Sequence, residues 1–367
     1  MNTTTEKPAL KGRLTSLDAL RGLDMFFLVG LGAIFRALPE LSDNAVFTWL
    51  AGQCRHPEWQ GYTAWDQIFP MFIFIVGAAM PFSFSKRMNE EGGKKRLFRH
   101  VLKRTLILMV LGAILHKEPF GISERWGLYS VLYRIGFSYF FAAIILMNTN
   151  LKGQIYWAFG ILIGYYLMLR FIPVPGYGMG DFSAEGNLKT YLSEQVAEHI
   201  APSLRFVLSI SLVTSVSNAL FGAIAGQWLM SERSEREKTR WLLLGGIVFI
   251  LAALLFHLEF PINKKMGSSS FVLLTAGISA FLLGSFYWLI DVKGRHSWWV
   301  FFLVVVGVNP ITIYLAGFLV RFGEITRVFV GGFDFGNAQA LMFAITLATI
   351  KWLFLYYLYK NRVFLKI

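Results

Sequence analysis

Apolar residues recur along this chain in long runs separated by short polar loops, from one end to the other. About ten runs approach the length of roughly 20 residues that a helix needs to cross a hydrocarbon core. They fall near Leu20–Leu38, Ala64–Ser85, Val101–Leu115, Leu128–Met147, Ile155–Ile172, Phe206–Met230, Trp241–His257, Phe271–Ile290, Trp298–Leu319 and Ala338–Tyr359. The pattern predicts an all-α polytopic membrane protein, built as one transmembrane domain over residues 1–367. Segment 1–19 lies ahead of the first span, and the two longest loops run over 39–63 and 173–205. The second loop opens on Pro173, Pro175, Gly176, Gly178 and Gly180, which predicts turns there and no helix at its start.

Basic residues sort by loop. With the N-terminus in the cytoplasm, about 21 lysines and arginines fall inside and about 11 outside, although the outer loops are longer in total. An even number of spans then returns the C-terminus to the cytoplasm. Composition agrees with lipid as the solvent: 55% of residues are hydrophobic and 16% charged, where a soluble domain carries about 25%. The formal charge of +13 is spread over topogenic loops, so it argues against nucleic acid as a partner. The lone Cys54 excludes an intramolecular disulfide and a CxxC metal site, and no HExxH or comparable spacing predicts a metal. The polar start of the chain lacks a signal-peptide pattern, so the first span is expected to stay as an uncleaved anchor.

Ionisable groups within a bilayer cost a few kcal/mol each, so each needs a partner or a task. Asp24 lies about one turn into the first span, Asp66 at the outer end of the second, and Arg134 about two turns into the fourth. Asp66 and Arg134 share a depth and differ in sign, which suits a structural ion pair and a catalytic role alike. His56 stands just ahead of the second span, inside a collar of Trp59, Tyr62 and Trp65. An imidazole titrates near neutrality, so it suits taking a proton from an ammonium or carrying an acyl group; a solvated loop histidine is the plain alternative. His257 with Glu259 could form an interfacial pair. Asn309-Pro310 interrupts the ninth span, where a freed carbonyl and a kink commonly line a cavity.

At these residues the chain resembles the heparan-α-glucosaminide N-acetyltransferase family of the transmembrane acyltransferase superfamily. Four stretches carry the likeness. They are Arg13-Leu14-x-Ser16-x-Asp18-x-x-Arg21-Gly22, then His56-x-x-Trp59-x-Gly61-x-x-x-x-Asp66-x-x-Phe69-Pro70-x-Phe72-x-Phe74-Ile75-x-Gly77, then Val131-Leu132-x-Arg134-x-Gly136. The last comprises Pro261-Ile262-Asn263-Lys264, Asp291-Val292-Lys293-Gly294 and the closing Val363-Phe364-Leu365-Lys366-Ile367. The resemblance implies acetyl-CoA as donor on the cytoplasmic side, an amino sugar or glycan as acceptor on the far side, and, through bacterial relatives, residence in an inner membrane. It implies His56 as the catalytic residue; in direct transfer Asp66 is expected to orient its ring, as carboxylates do in catalytic triads, and Arg134 to steady an oxyanion or pair with Asp66. Donor contacts are expected from Arg21, Asp18, Lys86, Arg87 and Asn309. Two departures stand out: the family's first-span asparagine is Gly32 here, and Ala201-Pro202-Ser203-Leu204 replaces an acidic Pro-Glu-Gly segment. A sugar or glycan transporter also fits ten helices with buried charges, though no inverted repeat is evident. A homodimer is compatible with the surface, but no GxxxG-led interface stands out.

Overall fold

A computed structural model describes residues 14–88, 92–115, 130–200, 209–295 and 297–365, apart from the side chains of Lys86, Met88 and Leu115. Arg13, Lys86's side chain, Lys366 and the 201–204 segment therefore lie outside what it describes. Among the described residues the chain is helical, with one isolated bridge between Val174 and Gly178. The helices are α1 (Thr15–Phe26), α2 (Gly32–Leu41), α3 (Ala45–Gly52), α4 (Ala64–Met88), α5 (Gly93–Leu115), α6 (Val131–Asn148), α7 (Leu151–Phe171) and α8 (Leu188–His199). They continue as α9 (Ser211–Met230), α10 (Glu235–His257), α11 (Ser269–Phe286), α12 (Trp298–Gly307), α13 (Pro310–Leu319), α14 (Phe322–Val330) and α15 (Gln339–Lys360).

Six of these stretches are long and apolar enough to cross a membrane, or seven if the pair α12–α13 counts as one bent by 65°. That bend falls at the Asn309-Pro310 step, because Pro310 cannot donate a helical N–H. α5 begins in the Lys/Arg-rich stretch ahead of the expected third span, since long basic side chains favour helix and keep their charges wet. α9 carries Ser211, Thr214, Ser215, Ser217 and Asn218, all buried inside the bundle rather than facing lipid. The first loop also holds more helix than its length suggests. α2 runs past Pro39 to Leu41, and Asn44 caps α3 by accepting from the Val46 N–H at 2.8 Å.

Small residues set the closest crossings. A Cβ on Gly77 would stand 2.0 Å from the Ala219 carbonyl oxygen, one on Gly222 2.0 Å from that of Phe74, and one on Gly226 2.2 Å from that of Ala78. α4 and α9 thus meet backbone to backbone, as helices in lipid do when van der Waals packing must replace the hydrophobic effect. Gly22 and Gly307 do the same for α1 and α12, each facing a carbonyl of the other helix within 1.9 Å of where a Cβ would lie. The asparagine Nδ2 of Asn218 donates to the Pro70 carbonyl at 2.9 Å, pinning α9 to a proline-interrupted α4. α4 is therefore a fixed post, and one end of it carries the candidate site.

Candidate active site

The site begins with the way α4 starts. Thr63 precedes its first turn, and Asp66, three residues on, reaches back to accept from the Thr63 N–H at 3.1 Å and the Thr63 hydroxyl at 3.2 Å. This one-sided cap satisfies a backbone donor ahead of the helix and puts a carboxylate at the positive end of the helix. It uses Oδ2 and leaves Oδ1 for other partners. Oδ1 lies 2.6 Å from His56 Nδ1 and 3.2 Å from the Lys264 ammonium. Asp66 is fully buried, whereas the His56 side chain is 46% exposed and that of Lys264 26%.

A carboxylate can only accept, so Nδ1 carries the proton and donates; in the neutral ring Nε2 then keeps its lone pair. Sequence reading thus brings His56 and Asp66 together as expected. Lys264, part of the Pro261-Ile262-Asn263-Lys264 stretch, is the cation that meets the pair. It lies 3.5 Å from Nδ1 as well. Burial pulls the Lys264 ammonium below the usual lysine range; the Asp66 carboxylate opposes that pull, and the charge of Arg134 reinforces it.

Three segments hold the histidine loop. Gly61, at φ +119°, donates its N–H to the Ile262 carbonyl at 3.0 Å, a backbone conformation that side-chain-bearing residues rarely adopt. Lys265 donates to the Glu58 carbonyl, and Trp59 Nε1 donates to the Phe182 carbonyl at 2.9 Å. Lys264 itself sits on a tight turn. The buried Asn263 accepts from the Met266 N–H at 2.8 Å through its side chain, and Gly267 at φ +70° closes the turn. Below the pair, Tyr62 donates to Gln67 Oε1 at 2.8 Å, and Gln67 Nε2 donates to the Thr275 carbonyl and Ser279 hydroxyl on α11. Burial, then the nearby Asp66 carboxylate, push the Tyr62 phenol well above its usual range, so it remains a donor.

Arg134, expected at the same depth as Asp66, lies with its guanidinium 5.6 Å from the centre of the Phe69 ring, and its charge is felt at Lys264. The family asparagine position, Gly32, faces Trp65: a Cβ there would stand 2.3 Å from the Trp65 ring. Trp65 in turn lies under the Arg36 guanidinium at 4.8 Å. Glu259 pairs with Arg170 at 3.0 Å and accepts from the Tyr166 hydroxyl, while His257 Nδ1 accepts from the Ile262 N–H; each of the expected interfacial partners is thus bonded elsewhere.

Of the residues expected to meet the donor, Arg21, Asp18 and Asn309 lie around the break between α12 and α13. Arg21 pairs with Asp18 at 3.1 Å and reaches the Gly307 carbonyl at 3.5 Å, beside the break between α12 and α13. Asn309 holds the C-terminal segment, donating to the Val363 carbonyl at 2.9 Å and accepting from the Leu365 N–H at 3.3 Å. Arg87, near the far end of α4, joins Lys103 and Arg104; burial and these three positive charges push the His100 imidazole below its usual range. Asp66 and Arg87 stand 21 positions apart on one helix, about 32 Å at 1.5 Å per residue, or roughly one hydrocarbon core. Among the described residues, no group of three or more His, Cys, Asp or Glu is arranged to hold a metal ion.

A family model described as a domain of unknown function (DUF5009) matches residues 13–188, which takes in α1 through the capping Asn187 of α8. Heparan-alpha-glucosaminide N-acetyltransferase from Homo sapiens is 23% identical over 98% of this chain, and the Mus musculus protein of that name is 23% identical over 83% of it. The chain spans 60% and 54% of the length of these relatives. The likeness read from four short stretches therefore extends over nearly all of the chain, which is similar to these heparan-alpha-glucosaminide N-acetyltransferases.

Proposed function

We propose that the protein is a transmembrane acetyltransferase that moves an acetyl group from acetyl-CoA at the cytoplasmic face to the amine of a glucosamine-type sugar on the opposite face. In this reading residues 1–367 form one domain of ten crossings in a bacterial inner membrane, with both termini cytoplasmic. One observation carries it: an accessible imidazole whose Nδ1 is held at 2.6 Å by a buried carboxylate. That arrangement is the orienting half of a catalytic triad, and it leaves Nε2 to do the chemistry.

In direct transfer, Nε2 takes a proton from the sugar ammonium. The amine then attacks the thioester carbonyl; a C–N bond forms, the C–S bond breaks, the nitrogen sheds its remaining extra proton to solvent, and the proton held on Nε2 passes to the departing thiolate to release the thiol. In the covalent route the acetyl group first moves to Nε2 and then to the amine. The separation of about 32 Å between Asp66 and Arg87 bears on this choice, because it taxes the reach of a pantetheine arm. Arg21, Lys86 and Arg87 are the residues we assign to the donor's charged end, with Asp18 orienting Arg21 through their ion pair at 3.1 Å. Arginines and lysines are the natural partners of its phosphates. Asn309 would act there by shaping the helix break, its amide being engaged with the C-terminal segment. Arg134 would add positive charge where the oxyanion develops.

Mass spectrometry of protein incubated with labelled acetyl-CoA and no acceptor separates the two routes: an adduct on His56 supports the covalent one, and turnover without it supports the direct one. The bent pair α12–α13 would equally serve a sugar transporter. Acetyl-CoA should raise the melting temperature in detergent if the acetyltransferase reading holds, and should leave it unchanged in a transporter of neutral sugars.

A further inference from the structure

Lys264 belongs to a segment 208 positions away from His56, yet its ammonium shares the same carboxylate oxygen. The charged and titratable groups around the pair come from several elements. The histidine loop supplies Arg55, Glu58 and Tyr62, and α4 supplies Asp66. Arg134 comes from α6 and Tyr165 from α7, while the 258–268 turn supplies Lys264 and Lys265. Of the lysines, Lys265 is spent on the Glu58 carbonyl, so only Lys264 is aimed at Asp66.

An Asp–His pair left to itself favours a doubly protonated ring, since the carboxylate attracts the second proton. A second cation on the same oxygen changes that balance. We infer that Lys264 is a positioning residue of the transfer site: by sharing Oδ1 of Asp66, it lets the carboxylate hold the His56 proton on Nδ1 while opposing a second proton on Nε2. The imidazole is then kept in the form that accepts a proton or an acyl group. The turn that carries Lys264 is braced by Asn263, Gly267 and the Tyr165 hydroxyl on the Met266 carbonyl at 2.6 Å, so the lysine stem starts from a fixed point beside Asp66.

This inference deepens the proposed acetyl transfer, but its test needs no substrate. Diethyl pyrocarbonate acylates neutral imidazole, so the pH at which His56 reacts at half its maximal rate, read by mass spectrometry of the His56 peptide, reports its protonation directly. Lys264→Met and Lys264→Gln should move that midpoint up by about one pH unit, as expected for removing one unit charge at this distance from a half-exposed group. Lys264→Arg and Lys265→Met should overlay the wild type. A midpoint common to all five proteins, or one that moves as far in Lys265→Met, would overturn the inference. A chain inert toward acetyl-CoA that still shows the shift would sink the enzymatic reading and leave this one standing; an active chain without the shift would do the reverse.

Discussion

Replacing Asp66 with Asn tests the site through its most connected atom pair. The change keeps the shape and removes the charge beneath His56 Nδ1 (2.6 Å), Lys264 Nζ (3.2 Å) and the two Thr63 donors. Breaking a fully buried pair costs about 3–5 kcal/mol, but Lys264 is 26% exposed and can turn toward water, which brings that down to about 2 kcal/mol. The new amide N–H₂ faces donors, and one unsatisfied group adds about 1 kcal/mol. The stability loss should therefore be about 3 kcal/mol, read as a lower melting temperature in detergent. The catalytic effect should be larger. An asparagine can donate to Nδ1, so the proton moves to Nε2 and the free lone pair is lost; in a serine-protease triad the same change costs about 10⁴-fold. Thiol release from acetyl-CoA with a hexosamine acceptor should fall about 10³–10⁴-fold at saturating donor. KM for acetyl-CoA should stay within about twofold if, as proposed, the donor's phosphates bind at the Arg87 end of α4. Turnover within tenfold of wild type in folded Asp66→Asn protein would refute the claim that the carboxylate sets the tautomer.

Three further outcomes follow from the packing and the charges. Gly222→Val puts a branched side chain where even a Cβ would lie 2.0 Å from the Phe74 carbonyl oxygen, so it should cost more than about 3 kcal/mol and abolish a monodisperse peak in detergent. Gly32→Asn should displace Trp65 and cost about 1–3 kcal/mol of stability, and the double change with Trp65→Ala should recover part of it; simple additivity of the two melting shifts would contradict the contact. Tyr62 gives a pH signature. Its folded phenol is raised above the unfolded value, so the stability it contributes is complete below about pH 10 and lost as pH rises further. Tyr62→Phe should therefore melt with a shallower alkaline decline than wild type, and identical slopes between pH 9 and 11 would count against the burial of that hydroxyl.

Much of this was legible because lipid imposes a coarse pattern. The runs at Ala64–Ser85 and Ala338–Tyr359 became α4 and α15 almost residue for residue, and the Asn309-Pro310 break became a 65° bend. His56 and Asp66 were legible as a pair because the loop before α4 and its first turn carry them ten positions apart in one recognisable stretch. Lys264 was not given a role, because nothing local links it to residues some 200 positions earlier; its signal was only that it stood in a matched stretch beside a Gly-containing turn. The π-helical turns at Phe27–Leu31 and Tyr287–Val292 left no mark in the apolar pattern, since one extra residue per turn hardly alters it. Asn309 was expected at the donor; the structure shows its amide tying down Val363 and Leu365, a contact between distant segments that periodicity does not encode. α9 shows why hydropathy alone misjudges an inner helix: surrounded by protein, it can carry five polar residues between Ser211 and Asn218.

The central claim is that an imidazole on one face of the membrane completes acetyl transfer from a thioester. Its most direct test is the transfer of labelled acetyl from acetyl-CoA to a panel of hexosamines, comparing wild type with His56→Ala in a folded, detergent-purified state. Label should appear on at least one amino sugar with the wild type and fall at least about 10³-fold with the variant. Equal transfer by both proteins would contradict the account, and so would a wild-type protein that leaves every sugar unlabelled.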